Sequence, residues 1–217
     1  MSIFEYLGLR TNIAAFCLLI VLTSACVPAM PGNSNNVPPS IGDGGFLSNN
    51  PCGPPCFQGI VPGTTAEHEA VQILQSQGLY YNCSSFNNEV SSGKRGVECG
   101  SSVNISFQRG TDIVDAVSFG LSQKVTVADV IAKYGEPDTV LVTLDHRYPR
   151  AGMNLYYTDL RAIIGLPDQE GSIFRVSAST MVESIGYLSA ASYKSHVPAI
   201  DSLPKWKGYG EYKEYLP

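Results

Sequence analysis

Charge is scarce in this chain. Asp, Glu, Lys and Arg together make up 15 % of it, and the formal balance is −5. No run of basic residues exists, and Lys94-Arg95 is an isolated pair expected in a solvated turn. A mildly acidic chain without a basic stretch is a poor match for nucleic acid or anionic lipid as main partner. Catalytic signatures are missing too: there is no Gly-x-Ser-x-Gly elbow and no His-Glu-x-x-His pair. The three histidines, His68, His146 and His196, are widely scattered. Asp145 and His146 are neighbours at an expected strand end, where consecutive side chains point to opposite faces. Ser92-Gly93-Lys94 has the end of a phosphate loop without its beginning, since Asn88 stands where the first glycine is required. These absences point away from an enzyme and give no cofactor or metal to expect.

Hydrophobic residues are 44 % of the 217, enough for a core in one or two small domains. The surface must then be rich in Ser, Asn, Gly and Tyr. The chain begins with an apolar run, Ile13 to Leu22, after Arg10, followed by Thr23-Ser24-Ala25-Cys26. This order is that of a signal peptide. It resembles a bacterial lipoprotein signal, in which small residues precede an invariant cysteine. Ser24, Ala25 and Cys26 fit, while Thr23 stands where leucine is usual. The resemblance implies a signal peptide over residues 1–25, lipid attachment at Cys26, and an extracytoplasmic protein anchored in the cell membrane. The alternative is an uncleaved anchor, because the charge-free stretch from Thr11 to Met30 is about long enough to span a bilayer.

Six cysteines occupy positions 17, 26, 52, 56, 83 and 99. Processing would remove Cys17 and lipid would consume Cys26. Cys52, Cys56, Cys83 and Cys99 remain, an even set in an oxidising compartment, which predicts two disulfides of unread pairing that tie the end of the tether to the first repeat. Cys52-Gly53-Pro54-Pro55-Cys56 has the wrong spacing for a redox motif, and no second pair sits at zinc-ligand spacing. Residues 26–51 are dominated by Pro, Gly, Ser and Asn and are expected to be a flexible tether with a reach of roughly 25–30 Å.

One stretch occurs twice. Asp112-Ile113-Val114-Asp115-Ala116-Val117-Ser118-Phe119 matches Thr180-Met181-Val182-Glu183-Ser184-Ile185-Gly186-Tyr187 at seven of eight positions by identity or conservative exchange. A helix-start signal precedes each copy, at Thr64-Thr65-Ala66-Glu67 and at Thr126-Val127-Ala128-Asp129. Gly78 and Gly135 are placed to end the two helices. The expectation is an α+β fold of two tandem helix-plus-antiparallel-sheet repeats, residues 52–122 and 123–190, with an aromatic tail over 191–217. Tyr80 to Glu98 is expected to be a loop or weak strands. The tail sets Trp206, Tyr209, Tyr212 and Tyr215 at intervals of three, either docked on the domain or exposed as a platform for glycan or peptide.

Thr126, Val130, Tyr134, Gly135, Pro137, Tyr156, Val182, Ile185 and Tyr187 resemble the pattern of the SmpA/OmlA (BamE-like) envelope lipoproteins. Thr64, Val114, Val117 and Phe119 follow it more loosely. The pairing of two such units is similar to the β-lactamase inhibitor protein fold, over residues 57–190. The resemblance implies a module that binds another envelope or secreted protein, as an assembly factor or inhibitor; a Tyr-rich sheet face binding a small ligand or glycan is the alternative. Strand alternation places Asp115, Val117 and Phe119 on one side, with Glu183, Ile185 and Tyr187 as counterparts. Asp115, Phe119, Glu183 and Tyr187 are the candidate binding residues if that face is open. If the larger side chains go inside, the two acids lie at the core's rim.

Overall fold

The computed structural model describes residues 40–88, 94–100, 102–145, 147–196 and 202–214. The expected signal peptide, Cys26 with its lipid, the tether as far as residue 39, and His146 lie outside the described residues.

Helix α1 (Glu67–Ser76) begins two residues later than expected. Thr64 and Thr65 spend their hydroxyls on the preceding turn: Thr65 Oγ1 accepts the Val61 N–H at 2.8 Å, and Thr64 Oγ1 donates to Val61 O at 3.1 Å. The Glu69 carboxylate instead accepts the Ala66 N–H at 3.0 Å. Gly78, at φ +70°, turns the chain so that the amides of Leu79 and Tyr80 both reach Leu74 O. Helix α2 (Val127–Tyr134) starts as expected. The Asp129 amide donates to Thr126 Oγ1 at 3.2 Å, and the Thr126 amide donates to the Asp129 carboxylate at 2.9 Å.

Ten strands follow the alternating pattern: β1 (Cys83–Asn88), β2 (Lys94–Cys99), β3 (Val103–Phe107), β4 (Val114–Gly120), β5 (Thr139–Asp145), β6 (Arg150–Tyr157), β7 (Ala162–Glu170), β8 (Ile173–Val176), β9 (Ser184–Leu188) and β10 (Gly210–Lys213). A third helix, α3 (Ala190–His196), follows β9. Eight strands form one antiparallel sheet in the order β1-β2-β3-β4-β9-β7-β6-β5, and β10 pairs with β8. The expected α+β class is therefore overturned: the described chain is mostly β, with three short helices beside one large sheet. The cause lies in the repeated stretch. Its two copies become β4 and β9 and pair with each other, Phe119 opposite Ile185 and Val117 opposite Tyr187. Their backbone groups close a single sheet instead of ending two.

The repeat does persist in the backbone. Glu67 N–H bonds Asp112 O as Val127 N–H bonds Thr180 O, and Val114 N–H bonds Thr65 O as Val182 N–H bonds Val125 O. Each helix start is thus clipped to the residues leading into a central strand.

One face of the sheet is the core. Val97, Val103, Ile105, Val117, Phe119, Ile185, Tyr187, Ile164 and Leu155 share a buried cluster with Ala70 and Leu74 of α1 and Val127 and Val130 of α2. Residues 40–51, assigned above to the tether, belong to this core. Phe46 is fully buried and packs on Tyr134 at 5.0 Å, and Phe57, just beyond the segment, stacks on Phe119 at 4.3 Å. Gly44, at φ +61°, passes so close to the Phe119 ring that a Cβ would meet it at 2.2 Å, so only glycine fits. The Asp43 carboxylate organises this loop by accepting the amides of Gly45, Leu47 and Ser48 and the Ser48 hydroxyl.

Two disulfides form, Cys52–Cys56 and Cys83–Cys99. Both are local, so neither ties the tether to a distant part of the fold. Cys83 and Cys99 are direct cross-strand partners on β1 and β2. Arg95 is no solvated turn residue. It sits in β2, bridges Glu67 at 2.6 Å and Asp112 at 2.7 Å, and lies 4.9 Å over the Phe107 ring. The described part of the aromatic tail docks through Tyr212, which lies in the core cluster: Trp206 stacks on it, and its hydroxyl accepts the Lys207 N–H and donates to Gly208 O, while Tyr209 is exposed and Tyr215 lies outside the described residues.

Candidate functional site: the open face of the sheet

The face opposite the core is built from small side chains. One row of cross-strand partners runs Ser84, Glu98, Asn104, Ser118, Gly186, Ile163. A second runs Gly120, Ser184, Gly165, Asn154. Strand alternation dictates this, because each residue stands next to a core-facing Val, Ile, Phe or Tyr. Among the described residues, one end is covered. There Tyr193 of α3 and Leu203 bury against Tyr156 and Leu188, with Ala116, Leu141 and Ile163 at the margin.

Two hollows lie on this face. A groove of about 480 Å³ is floored by Ala116, Ser118, Ser184 and Gly186, with Arg109, Asp115 and Asn154 on its walls. A second, of about 330 Å³, shares Ser118 and Ser184 with it and is flanked by Glu98 and Glu183.

The four candidate binding residues separate. Phe119 and Tyr187 are 1 % and 0 % exposed and form the centre of the core, 5.7 Å apart between rings. They are not a binding surface. Large apolar side chains gain about 25 cal/mol per Å² by leaving water, which places them inside. Asp115 reaches the open side for a reason simple alternation hides. Phe107 pairs with Val114 and Ser106 pairs with Ala116, so Asp115 is the extra residue of a β-bulge. Val114 thereby stays with Val117 in the core. The second copy keeps the spacing, since Val182 and Ile185 are both buried and Glu183 is exposed between them.

Asp115 is half-buried and committed. Its carboxylate accepts the hydroxyl of Ser189 at 2.8 Å and that of Ser192, while the Ser192 amide bonds Ser189 Oγ at 3.1 Å. The group holds the start of α3 against β4. Glu183, its counterpart, has an exposed side chain on the rim of the smaller hollow. Sequence reasoning did not single out the small residues as a surface. The signal was present in Asn104 and Ser106 of β3, Ser118 and Gly120 of β4, Ser184 and Gly186 of β9, Gly165 of β7 and Gly152 and Asn154 of β6, each next to a larger neighbour.

No histidine lines either hollow, and among the described residues no three of His, Cys, Asp and Glu are placed to hold a metal ion. No described helix is long and apolar enough to cross a membrane. Tyr156 and Tyr157, the Tyr-rich strand considered for glycan stacking, are 7 % and 4 % exposed. Comparison with protein-family models, with curated proteins and with solved structures finds no match to this chain.

Proposed function

We propose that the chain is a membrane-tethered, extracytoplasmic binding module that docks another envelope or secreted protein on the open face of its sheet. The observation that carries this reading is the face itself. Five adjacent strands present Ser, Asn, Gly and a few carboxylates on that side, and beyond the end packed under α3 and Leu203 no element of the described chain covers them. A broad open sheet suits a protein surface, whereas a small-molecule site is a concave, mostly enclosed pocket. Two disulfides support an oxidising compartment. The Ser24-Ala25-Cys26 sequence supports lipid attachment at Cys26 as the tether.

The test is site-specific photo-cross-linking in the native host, with the probe at Ser118 on the open face and, as control, at exposed Gln75 on α1. A discrete adduct with one envelope protein from position 118, absent from position 75, is expected. No adduct from 118, or the same adducts from both positions, refutes the reading. Cys26→Ser should leave the protein unprocessed and move it out of the detergent phase; unchanged processing and partitioning refute the lipid anchor.

A further inference from the structure

Arg109 and Asp115 lie at one end of the open face, and two carboxylates lie at the other. Arg109 lies in the turn before β4, and Glu183 lies beside the end of β4, where the Leu121 amide bonds Glu183 O. At the Glu183 end the smaller hollow is flanked by two carboxylates, Glu98 from β2 and Glu183 from the approach to β9. Both side chains are exposed, and neither makes an ion pair or hydrogen bond among the described residues. Among the described residues, no cation lines the hollow. Its remaining polar lining is Ser102, Asn104, Ser118 and Ser184, all able to accept hydrogen bonds. Gly120, and Gly186 in the adjoining groove, leave the floor without side-chain bulk.

We propose that the hollow between Glu98 and Glu183 receives an arginine side chain projecting from the docked partner protein. This rests on the open face being the docking surface. Charge complementarity selects a cation, because two carboxylates without a counter-charge favour one at close range. Geometry selects arginine over lysine. A guanidinium presents five donors in one plane and can serve acceptors on opposite walls together, while an ammonium is a compact point charge. The bare floor accommodates the apolar stem, which packs along it while the head reaches the carboxylates.

The experiment is a nuclear magnetic resonance titration of the isotopically labelled full chain in detergent with N-acetyl-arginine amide. N-acetyl-citrulline amide, isosteric and uncharged, is the control. Saturable shifts of the Ser118, Gly120 and Ser184 amides are expected with arginine and not with citrulline. Glu98→Gln with Glu183→Gln should weaken binding tenfold or more; should the pair melt differently from wild type, each single variant serves instead. Shifts that do not saturate, that citrulline reproduces, or that survive both substitutions overturn the proposal. The cross-linking at Ser118 separates the two readings. An adduct formed equally by wild type and by Glu98→Gln/Glu183→Gln leaves docking standing and overturns the arginine site. Saturable arginine binding without any adduct supports the site and refutes the docking partner.

Discussion

Removing the cross-strand disulfide by Cys83→Ala with Cys99→Ala should destabilise the protein more than removing the other by Cys52→Ala with Cys56→Ala. The sequence separations are 16 and 4. Chain-entropy arithmetic gives about 3 kcal/mol for a loop of the first size and about 2 kcal/mol for the second. Packing widens the gap. Cys99 is 4 % exposed, and its sulfur is lost from the core. β1 has no fully buried side chain among its described residues, so its ladder with β2, Phe86 lying over Gly96, and this bond hold it in place. Urea unfolding of the oxidised protein and of both double variants measures the costs. Hydrogen exchange should show loss of protection concentrated in β1 and β2 for the Cys83/Cys99 variant. A cost for the Cys52/Cys56 pair equal to or above that of Cys83/Cys99 refutes the loop-length argument. Unchanged protection in β1 refutes the view that the bond anchors an edge strand.

Three further outcomes follow from buried polar groups. Tyr187 Oη is buried without a hydrogen-bond partner among the described residues, so Tyr187→Phe should stabilise by up to about 1 kcal/mol, and a loss of more than about 1 kcal/mol in urea refutes this. Burial, then the nearby Asp43 charge, pushes the Tyr134 hydroxyl up to about 12, and burial also raises Tyr157 and Tyr187. A raised folded-state value adds stability that is complete below pH of about 10 and lost as pH rises toward 12, so tyrosinate absorbance should include a cooperative phase that coincides with unfolding above about pH 10; its absence is the refuting result. At Asp43, burial would raise the carboxyl, but the bonds from Ser48, Gly45 and Leu47 outweigh it and hold the group below 3.8. That contribution is present above about pH 4 and lost as pH falls through the lowered value, so Asp43→Asn should flatten the acid limb of the stability curve; an unchanged limb refutes it.

Much of the backbone was legible and much of the surface was not. Thr126 with Asp129, Gly78 and Gly135 act locally, through bonds within four or five residues, and a local signal survives in sequence. The repeated stretch marked the two central strands, but not that they pair with each other, because strand partners are chosen by long-range packing. β1 and β2 are polar, and their pairing depends on the Cys83–Cys99 bond and on Arg95 meeting Glu67 and Asp112, partners far apart in the chain. The folding of residues 40–51 depends on Phe46, Asp43 and Gly44 finding α2 and Phe119. A Pro/Gly-rich composition describes flexibility only when no such contacts exist. The face of Phe119 stayed open because strict alternation set it beside Asp115, whereas the bulge at Asp115 puts the two on opposite sides.

The two repeated carboxylates do different work, and this can be measured. Asp115 bonds the hydroxyls of Ser189 and Ser192, which are 1 % and 7 % exposed. Asp115→Ala strips both of their charged acceptor, and a hydrogen bond to a charged group contributes about 1.5–3 kcal/mol. The site can relax by releasing α3, which would also withdraw Tyr193 from Tyr156 and Leu188. The expected result is loss of hydrogen-exchange protection in α3 and a stability loss of about 2–4 kcal/mol, with Asp115→Asn intermediate because one oxygen acceptor remains. Glu183→Ala removes an exposed side chain with no partner among the described residues and should change stability by less than about 0.5 kcal/mol. Equal effects of the two substitutions would mean that the carboxylates still share one role. A neutral Asp115→Ala with α3 still protected would mean that Tyr193 and Leu203 hold the helix without it.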